Sequence, residues 1–187
     1  MKRIASVILT GALILSMGAA AFAATPSKTV ADEIKAAAAV ETTGFDRVSI
    51  STEETEATVA QSAEVVAELA SSTEELKEAV GATAEEKVGI TAVQTVTIEQ
   101  TPLFNRTEAT VSLSSAVIDA AYKENEQVTV LVMVPVVGKD GTVTYEKIAV
   151  TGVVKDGKVE VKLTGALLKK IGKKSVTLVA TKKTAKV

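Results

Sequence analysis

The spacing of hydrophobic residues changes near residue 88, from a helical period to an alternating one. Before that point, apolar residues step by four, three and four positions, which places them on one helical face. These residues are Val59, Ala63, Val66 and Ala70. After it, apolar and polar residues alternate, as in strands with one buried face. The pattern predicts an acidic helical segment over 24–87 and a β-rich domain over 88–187.

Local signals predict three helices in the first segment, at 29–41, 53–70 and 73–80. Ser51 to Glu54 and Ser72 to Glu75 both read Ser-Thr-Glu-Glu, which matches a capping box at a helix start. Gly81 follows the last helix as a stop signal.

The second segment contains six or seven predicted strands rich in valine and threonine. Residues 128–137 are almost continuously apolar, which is typical of a central strand covered on both faces. Pro135 lacks an N–H, so this strand should end or bulge near it. Further strands are expected at 142–153, 158–163 and 174–181.

The tripeptide Lys-Asp-Gly occurs twice, at 139–141 and 155–157. One interpretation is a pair of aspartates that bind a metal. However, calcium loops need several closely spaced oxygen ligands, and each copy offers one aspartate. Asp-Gly between apolar runs is a strong hairpin signal. We therefore expect two turns, joining strands at 127–136, 142–153 and 158–163.

Two further segments resemble each other, VSLSSAVIDA at 111–120 and VKLTGALLKK at 161–170. Both read as a strand, a short helical turn and a crossing to the next strand. With the strand count, they predict an α+β fold, in which the N-terminal helical segment precedes an immunoglobulin-like antiparallel β-sandwich. The cysteine and tryptophan hallmarks of antibody domains are absent from the sequence.

The first 23 residues have the composition of a cleaved signal peptide. Lys2 and Arg3 precede an apolar run, and Ala21-Phe22-Ala23 fits the small-x-small cleavage rule. Cleavage is expected before Ala24, which makes the chain secreted or extracellular. An uncleaved membrane anchor is the alternative, because the apolar run is about as long as a span requires, roughly 20 residues.

Charge is distributed unevenly along the chain. Residues 24–100 contain 5 Lys+Arg and 15 Asp+Glu, whereas residues 101–187 contain 14 and 8. The lysine-rich end would contact an anionic cell-wall polymer or another envelope protein. The alternative is a solvated face that also attracts the acidic half. The candidate contact residues are Lys169, Lys170, Lys173, Lys174, Lys182 and Lys183.

The composition removes most catalytic chemistries. The sequence contains no histidine and no cysteine, so imidazole bases, thiolate nucleophiles and the usual zinc sites are excluded. Phosphate-binding loops and serine-hydrolase motifs are also missing. Tryptophan is absent and aromatic residues are few, which disfavours nucleic-acid binding. We expect no enzyme, cofactor or metal. A hydrolase that uses carboxylates alone is a remote alternative.

The layout as a whole resembles small secreted proteins of Gram-positive, clostridium-like bacteria. The resemblance rests on the short signal, the acidic Ala/Glu stretch, the Thr-Pro-Leu-Phe junction at 101–104 and the Lys-Asp-Gly turns. It implies an exported, non-catalytic protein and transfers no site residue.

The leading hypothesis is a non-enzymatic, secreted or cell-envelope-associated interaction or structural module. The alternative is a subunit of an extracellular assembly joined by edge-strand pairing, with 174–181 as the edge strand.

Overall fold

The alternating segments form antiparallel strands in the computed structural model, which describes residues 34–43 and 48–185. Eight strands occur within these residues. They are β1 (Ala37–Thr43), β2 (Ser49–Ser51), β3 (Lys87–Gln100), β4 (Glu108–Ser114), β5 (Gln127–Val137), β6 (Val143–Lys155), β7 (Lys158–Thr164) and β8 (Ser175–Thr184). Four helices are α1 (Glu56–Ser71), α2 (Thr73–Val80), α3 (Ile118–Ala121) and α4 (Gly165–Ile171).

The strands hydrogen-bond in the order β1-β4-β7-β6-β5-β8-β3-β2. The expected antiparallel β structure with additional helices is therefore confirmed. An immunoglobulin-like sandwich divides its strands between two sheets, whereas here all eight described strands form one sheet. Next to β1, Lys35 forms a bridge with Val93 of β3, so the sheet curls until its two ends nearly meet.

The inner face of this curled sheet forms the main core. Val96, Val130 and Leu178 come from β3, β5 and β8, and they pack in one cluster with Val111 and Val161 from β4 and β7. All five side chains are fully buried. Curling lets one sheet supply both walls of the core.

Helices α1 and α2 cover the outer face of the sheet at β3, β5 and β8. Leu69 and Leu76 pack there against Leu131, Met133 and Val179 in a second buried cluster. Because β5 and β8 are covered on both faces, their sequences are apolar at consecutive positions.

The first half of α1 docks through polar groups instead. Gln61 donates to the Ser175 carbonyl at 3.0 Å, and the Ser62 and Thr95 hydroxyls lie 2.7 Å apart. Thr95 Oγ1 also lies 2.8 Å from Thr177 Oγ1. These hydroxyls form a hydrogen-bonded row beneath the helix.

Two predicted helix starts differ from the structure. Ser51 does not begin a helix because it pairs with Thr97 as the end of β2, and Thr55 caps α1 instead. Ser72 precedes α2 as predicted, although its side chain makes no capping hydrogen bond. Gly81 ends α2 with φ of 65°, as the stop signal predicted.

The predicted helix at 29–41 is wrong over its described part from Ala37 onward, and residues 29–33 lie outside the described residues. Ala37–Thr43 is a strand that pairs with β4 along its whole length. Ala36 is buried and donates to the Val93 carbonyl at 2.9 Å. Alanine prefers helix by only about 0.5 kcal/mol per residue, so sheet pairing outweighs it.

Both Lys-Asp-Gly copies are turns, as predicted. Asp156 and Gly157 form a two-residue turn with φ of 48° and 69°. In the other copy, Gly141 has φ of 83° and Asp140 Oδ1 accepts from the Thr142 hydroxyl at 2.6 Å. The two turns lie at opposite ends of β6, about 40 Å apart at the usual strand rise, so their aspartates do not form a metal site.

The predicted edge strand 174–181 is wrong, because β8 lies between β5 and β3 near the middle of the sheet. The described sheet instead ends at β1 and β2. A strand near the C-terminus of the sequence can lie inside a sheet, because β8 has strand partners on both sides.

Strand β5 ends at Val137, two residues after Pro135, which confirms the predicted end near the proline. Pro135 itself still belongs to the strand. It pairs with Tyr145 in a regular ladder with β6, while pairing with β8 stops at Met133. Pro135 therefore lies where β5 is no longer paired with β8, and its missing N–H breaks no bond to that strand.

Candidate functional site

One end of the sheet carries a cluster of loops that we call the loop end, defined as residues 101–107, 136–143 and 165–174. Strand β3 leads into the first segment, the β5–β6 hairpin forms the second, and α4 leads to β8 in the third. Lys170 Nζ lies 2.6 Å from Glu146 of β6, and Lys174 Nζ donates to the Pro135 carbonyl at 3.3 Å. These contacts hold α4 against the hairpin.

Helix α4 is positioned by its own sequence. The Thr164 hydroxyl accepts from the Leu167 N–H, which caps the helix start. Leu168 and Ile171 are buried in the core. Gly165 is needed where the loop 101–107 crosses the helix, because a Cβ there would lie 2.7 Å from the Thr107 carbonyl oxygen. The two lysines of α4, Lys169 and Lys170, lie on its exposed face.

The loop end contains four of the six predicted contact lysines. Lys169 and Lys173 are exposed, and the described part of the chain provides neither with an ion pair or hydrogen bond. Lys170 and Lys174 make the contacts to β6 and β5 given above.

The other two predicted lysines lie at the opposite end of the sheet. Strand β8 separates Lys174 from Lys182 by about 26 Å at the usual strand rise. Lys182 pairs with Glu126, and its ammonium lies 4.7 Å from the centre of the Tyr122 ring. Hydrogen bonding from Lys182 lowers the pKa of Glu126. Lys183 donates to the carbonyls of Val80 and Gly81 at 3.4 Å, where α2 ends.

The acidic helices thus cover some basic residues and not others. Lys147 Nζ contacts Glu68 of α1 at 3.0 Å and Glu75 of α2 at 3.1 Å. No salt bridge joins α1 or α2 to the four loop-end lysines within the described residues. The attraction expected between the two halves of the chain occurs, but it leaves α4 uncovered.

Exposed apolar side chains accompany the lysines, and sequence reasoning missed them. The exposed fraction is 78% for Leu103, 66% for Phe104 and 69% for Val137. Val136 and Val143 flank the same hairpin and are also exposed. The available signal was a pair of large apolar residues directly after Pro102, in a loop with no strand alternation to bury them.

The charge of the loop end is predominantly positive. Its three segments contain six Lys and Arg residues, including Arg106 and Lys139, against one acid, Asp140. Hydrogen bonds from Thr142 lower the pKa of Asp140. Glu99, Glu108 and Glu146 border the surface, and Glu146 is paired with Lys170. Arg106 and the loop-end lysines other than Lys170 supply the excess positive charge.

A shallow cleft of about 410 Å³ lies at the other end of the sheet. Its charged lining consists of Asp119 and Asp156 with Lys35 and Lys158. This balance differs from the acidic cleft that a carboxylate-only hydrolase would need. Among the described residues, no three His, Cys, Asp or Glu side chains are grouped to hold a metal ion.

The described helices include none that is both long and apolar enough to span a bilayer. Comparison of the chain with protein-family models, curated proteins and solved structures finds no match in any of the three.

Proposed function

We propose that this chain is a secreted or cell-envelope-associated, non-enzymatic interaction module, and that the loop end is its binding surface. The observation that carries the proposal is the exposed position of Lys169 and Lys173, away from the acidic helices. Cations that remain in solvent attract polyanions at a distance. The partner is an anionic component of the envelope, such as a wall polymer or an acidic envelope protein.

The proposal also includes export of the chain and a relationship of its fold to the immunoglobulin-like sandwich. Residues 1–23 act as a signal peptide that is removed before Ala24, as in the secreted clostridium-like proteins that the chain resembles. The two walls of the core pack face to face, which supports treating the curled sheet as a variant of the immunoglobulin-like sandwich.

The test is cosedimentation of the chain with insoluble anionic wall material over a range of salt concentrations. Binding should weaken steeply as salt rises, because screening shortens the range of charge attraction. A Lys169→Glu/Lys173→Glu variant should lose most of its binding. The matched control is Lys87→Glu/Lys158→Glu, which makes the same charge change at exposed positions at the other end of the sheet. Equal loss in both variants, or binding that salt does not alter, would refute the loop end as the site.

A second candidate function is assembly through an edge strand. The strand that favours it is β1, which lies at the edge of the described sheet, rather than β8. Strand β1 has seven residues with a single charge, Glu41, and no proline. It therefore lacks the usual protection of an edge. If it assembles, native size measurement should show a large species, which Ala39→Lys should dissociate. Thr151→Lys, an exposed change on the interior strand β6, should leave the size unchanged. A monomer at high concentration would exclude this candidate.

A further inference from the structure

Exposed apolar residues are concentrated at one end of the molecule. Six large hydrophobic side chains of the described residues are strongly exposed, and five of them belong to the loop end. The sixth, Val59, lies on α1. Soluble proteins expose single apolar residues widely, but a local concentration marks an interaction surface.

These five residues lie on two loops that are separate in the sequence. Leu103 and Phe104 lie between β3 and β4, while Val136, Val137 and Val143 lie at the end of the β5–β6 hairpin. Helix α4 and the residues that follow it hold the two loops in place, since Gly165 packs on the carbonyls of one loop and Lys174, after the helix, bonds to the base of the other. Both loops are therefore presented together.

Aliphatic side chains distinguish between the possible anionic partners. Sugar-phosphate polymers are bound by cations and by aromatic stacking, and neither interaction uses leucine or valine. A bilayer surface offers anionic headgroups above an apolar layer. Lysines at such a surface keep their ammonium groups among the headgroups while nearby apolar side chains enter the acyl boundary.

We propose that the loop end binds the surface of an anionic phospholipid bilayer. Leu103, Phe104 and Val137 insert into the acyl boundary, and Lys169 and Lys173 contact lipid phosphates. The proposal rests on the proposed function, because it names the anionic partner of the same surface.

The experiment measures binding of the chain, expressed from Ala24, to vesicles of equal parts phosphatidylglycerol and phosphatidylcholine. Vesicles of phosphatidylcholine alone are the lipid control. Starting at Ala24 removes the apolar N-terminal run, which would otherwise bind lipid itself. We expect clear binding to the mixed vesicles and little to the neutral ones. Lys169→Glu/Lys173→Glu should reduce the affinity by about 25-fold or more, at roughly fivefold per lysine.

Leu103→Ser/Phe104→Ser should also reduce vesicle affinity, by about tenfold per residue. Both side chains are largely exposed, and the unfolding midpoint of the variant checks that it remains folded. Val59→Ser is the matched control for an exposed apolar residue elsewhere and should bind normally.

Other outcomes separate the lipid proposal from the proposed function. Salt-sensitive binding to wall polymer without vesicle binding would overturn the lipid proposal and leave the proposed function intact. Vesicle binding that Leu103→Ser/Phe104→Ser does not weaken would likewise overturn insertion. Failure to bind either material would overturn the lipid proposal and exclude wall polymer as the partner in the proposed function.

Discussion

Lys147 Nζ of β6 lies 3.0 Å from Glu68 Oε1 of α1, and this contact joins the basic half of the chain to the acidic half. Both side chains are partly buried, with 18% and 30% of their surface exposed. Glu75 of α2 contacts the same ammonium. Burial opposes the charged form of Lys147, but the two carboxylates prevail and raise its pKa.

We predict measurable coupling between Lys147 and Glu68. In a double-mutant cycle with Lys147→Met and Glu68→Gln, the interaction free energy should be about 0.5–1 kcal/mol in urea unfolding. The Lys77–Glu74 pair is the control, because Glu74 is 82% exposed. Its coupling should be smaller, at about 0.3 kcal/mol. Equal coupling in both pairs would contradict the role of partial burial.

A second prediction concerns alkaline pH. Burial, followed by the nearby Glu64 carboxylate, raises the pKa of Tyr145 to about 12. Burial also raises the pKa of Tyr122. The unfolded pKa is about 10, so the unfolded state loses its phenolic protons first. The stabilisation is therefore complete below pH 10 and should be lost as the pH rises from there toward 12.

Unfolding midpoints measured between neutral and strongly alkaline pH test this prediction. Replacing both tyrosines with phenylalanine should flatten the alkaline decline, apart from the contribution of lysines such as Lys147. The chain has two tyrosines and no tryptophan, so phenolate absorbance reports them alone. Phenolate formation in the native state near pH 10 would contradict the prediction.

A third prediction concerns Gly165. Alanine in place of glycine usually stabilises a helix by up to about 1 kcal/mol. Here the new Cβ would crowd the backbone carbonyls of Phe104, Asn105 and Thr107 at 2.7–2.9 Å. We therefore expect Gly165→Ala to destabilise the protein by about 1–3 kcal/mol in denaturant unfolding. The adjacent exposed Ala166→Gly should cost no more than about 1 kcal/mol. A stabilising Gly165→Ala would show that the loop moves freely.

A fourth prediction concerns the hydroxyl row under α1. Thr95→Val preserves shape but leaves the Ser62 and Thr177 hydroxyls without their shared partner, at a cost of about 1–2 kcal/mol. Adding Ser62→Ala and Thr177→Val should cost less than the sum of the single changes, because only Gln61, which also donates to Thr177 Oγ1 at 3.3 Å, is then left without one of its partners. Urea unfolding of the single and triple variants measures the difference, and strict additivity would contradict the network.

Local patterns predicted most of the strands and both turns. The alternation of Val159, Val161 and Leu163 marks β7, and the Asp-Gly pairs mark the hairpins, because these signals act over a few neighbouring residues. The failures all involve distant partners. Ala37–Thr43 is a strand because β4 lies beside it, and the exposure of Leu103 and Phe104 follows from where the loop crosses α4.

The sequence alone determined the period of each segment, the turn positions, the uneven charge and the lack of imidazole and thiol chemistry. These properties depend on residue identity and on contacts between near neighbours. Only the tertiary structure decided that β8 is central, that Lys174 and Lys182 lie at opposite ends, and that α4 brings lysines beside exposed apolar loops. Those relationships depend on which distant strands pair, and that choice minimises the free energy of the whole core rather than of any one segment.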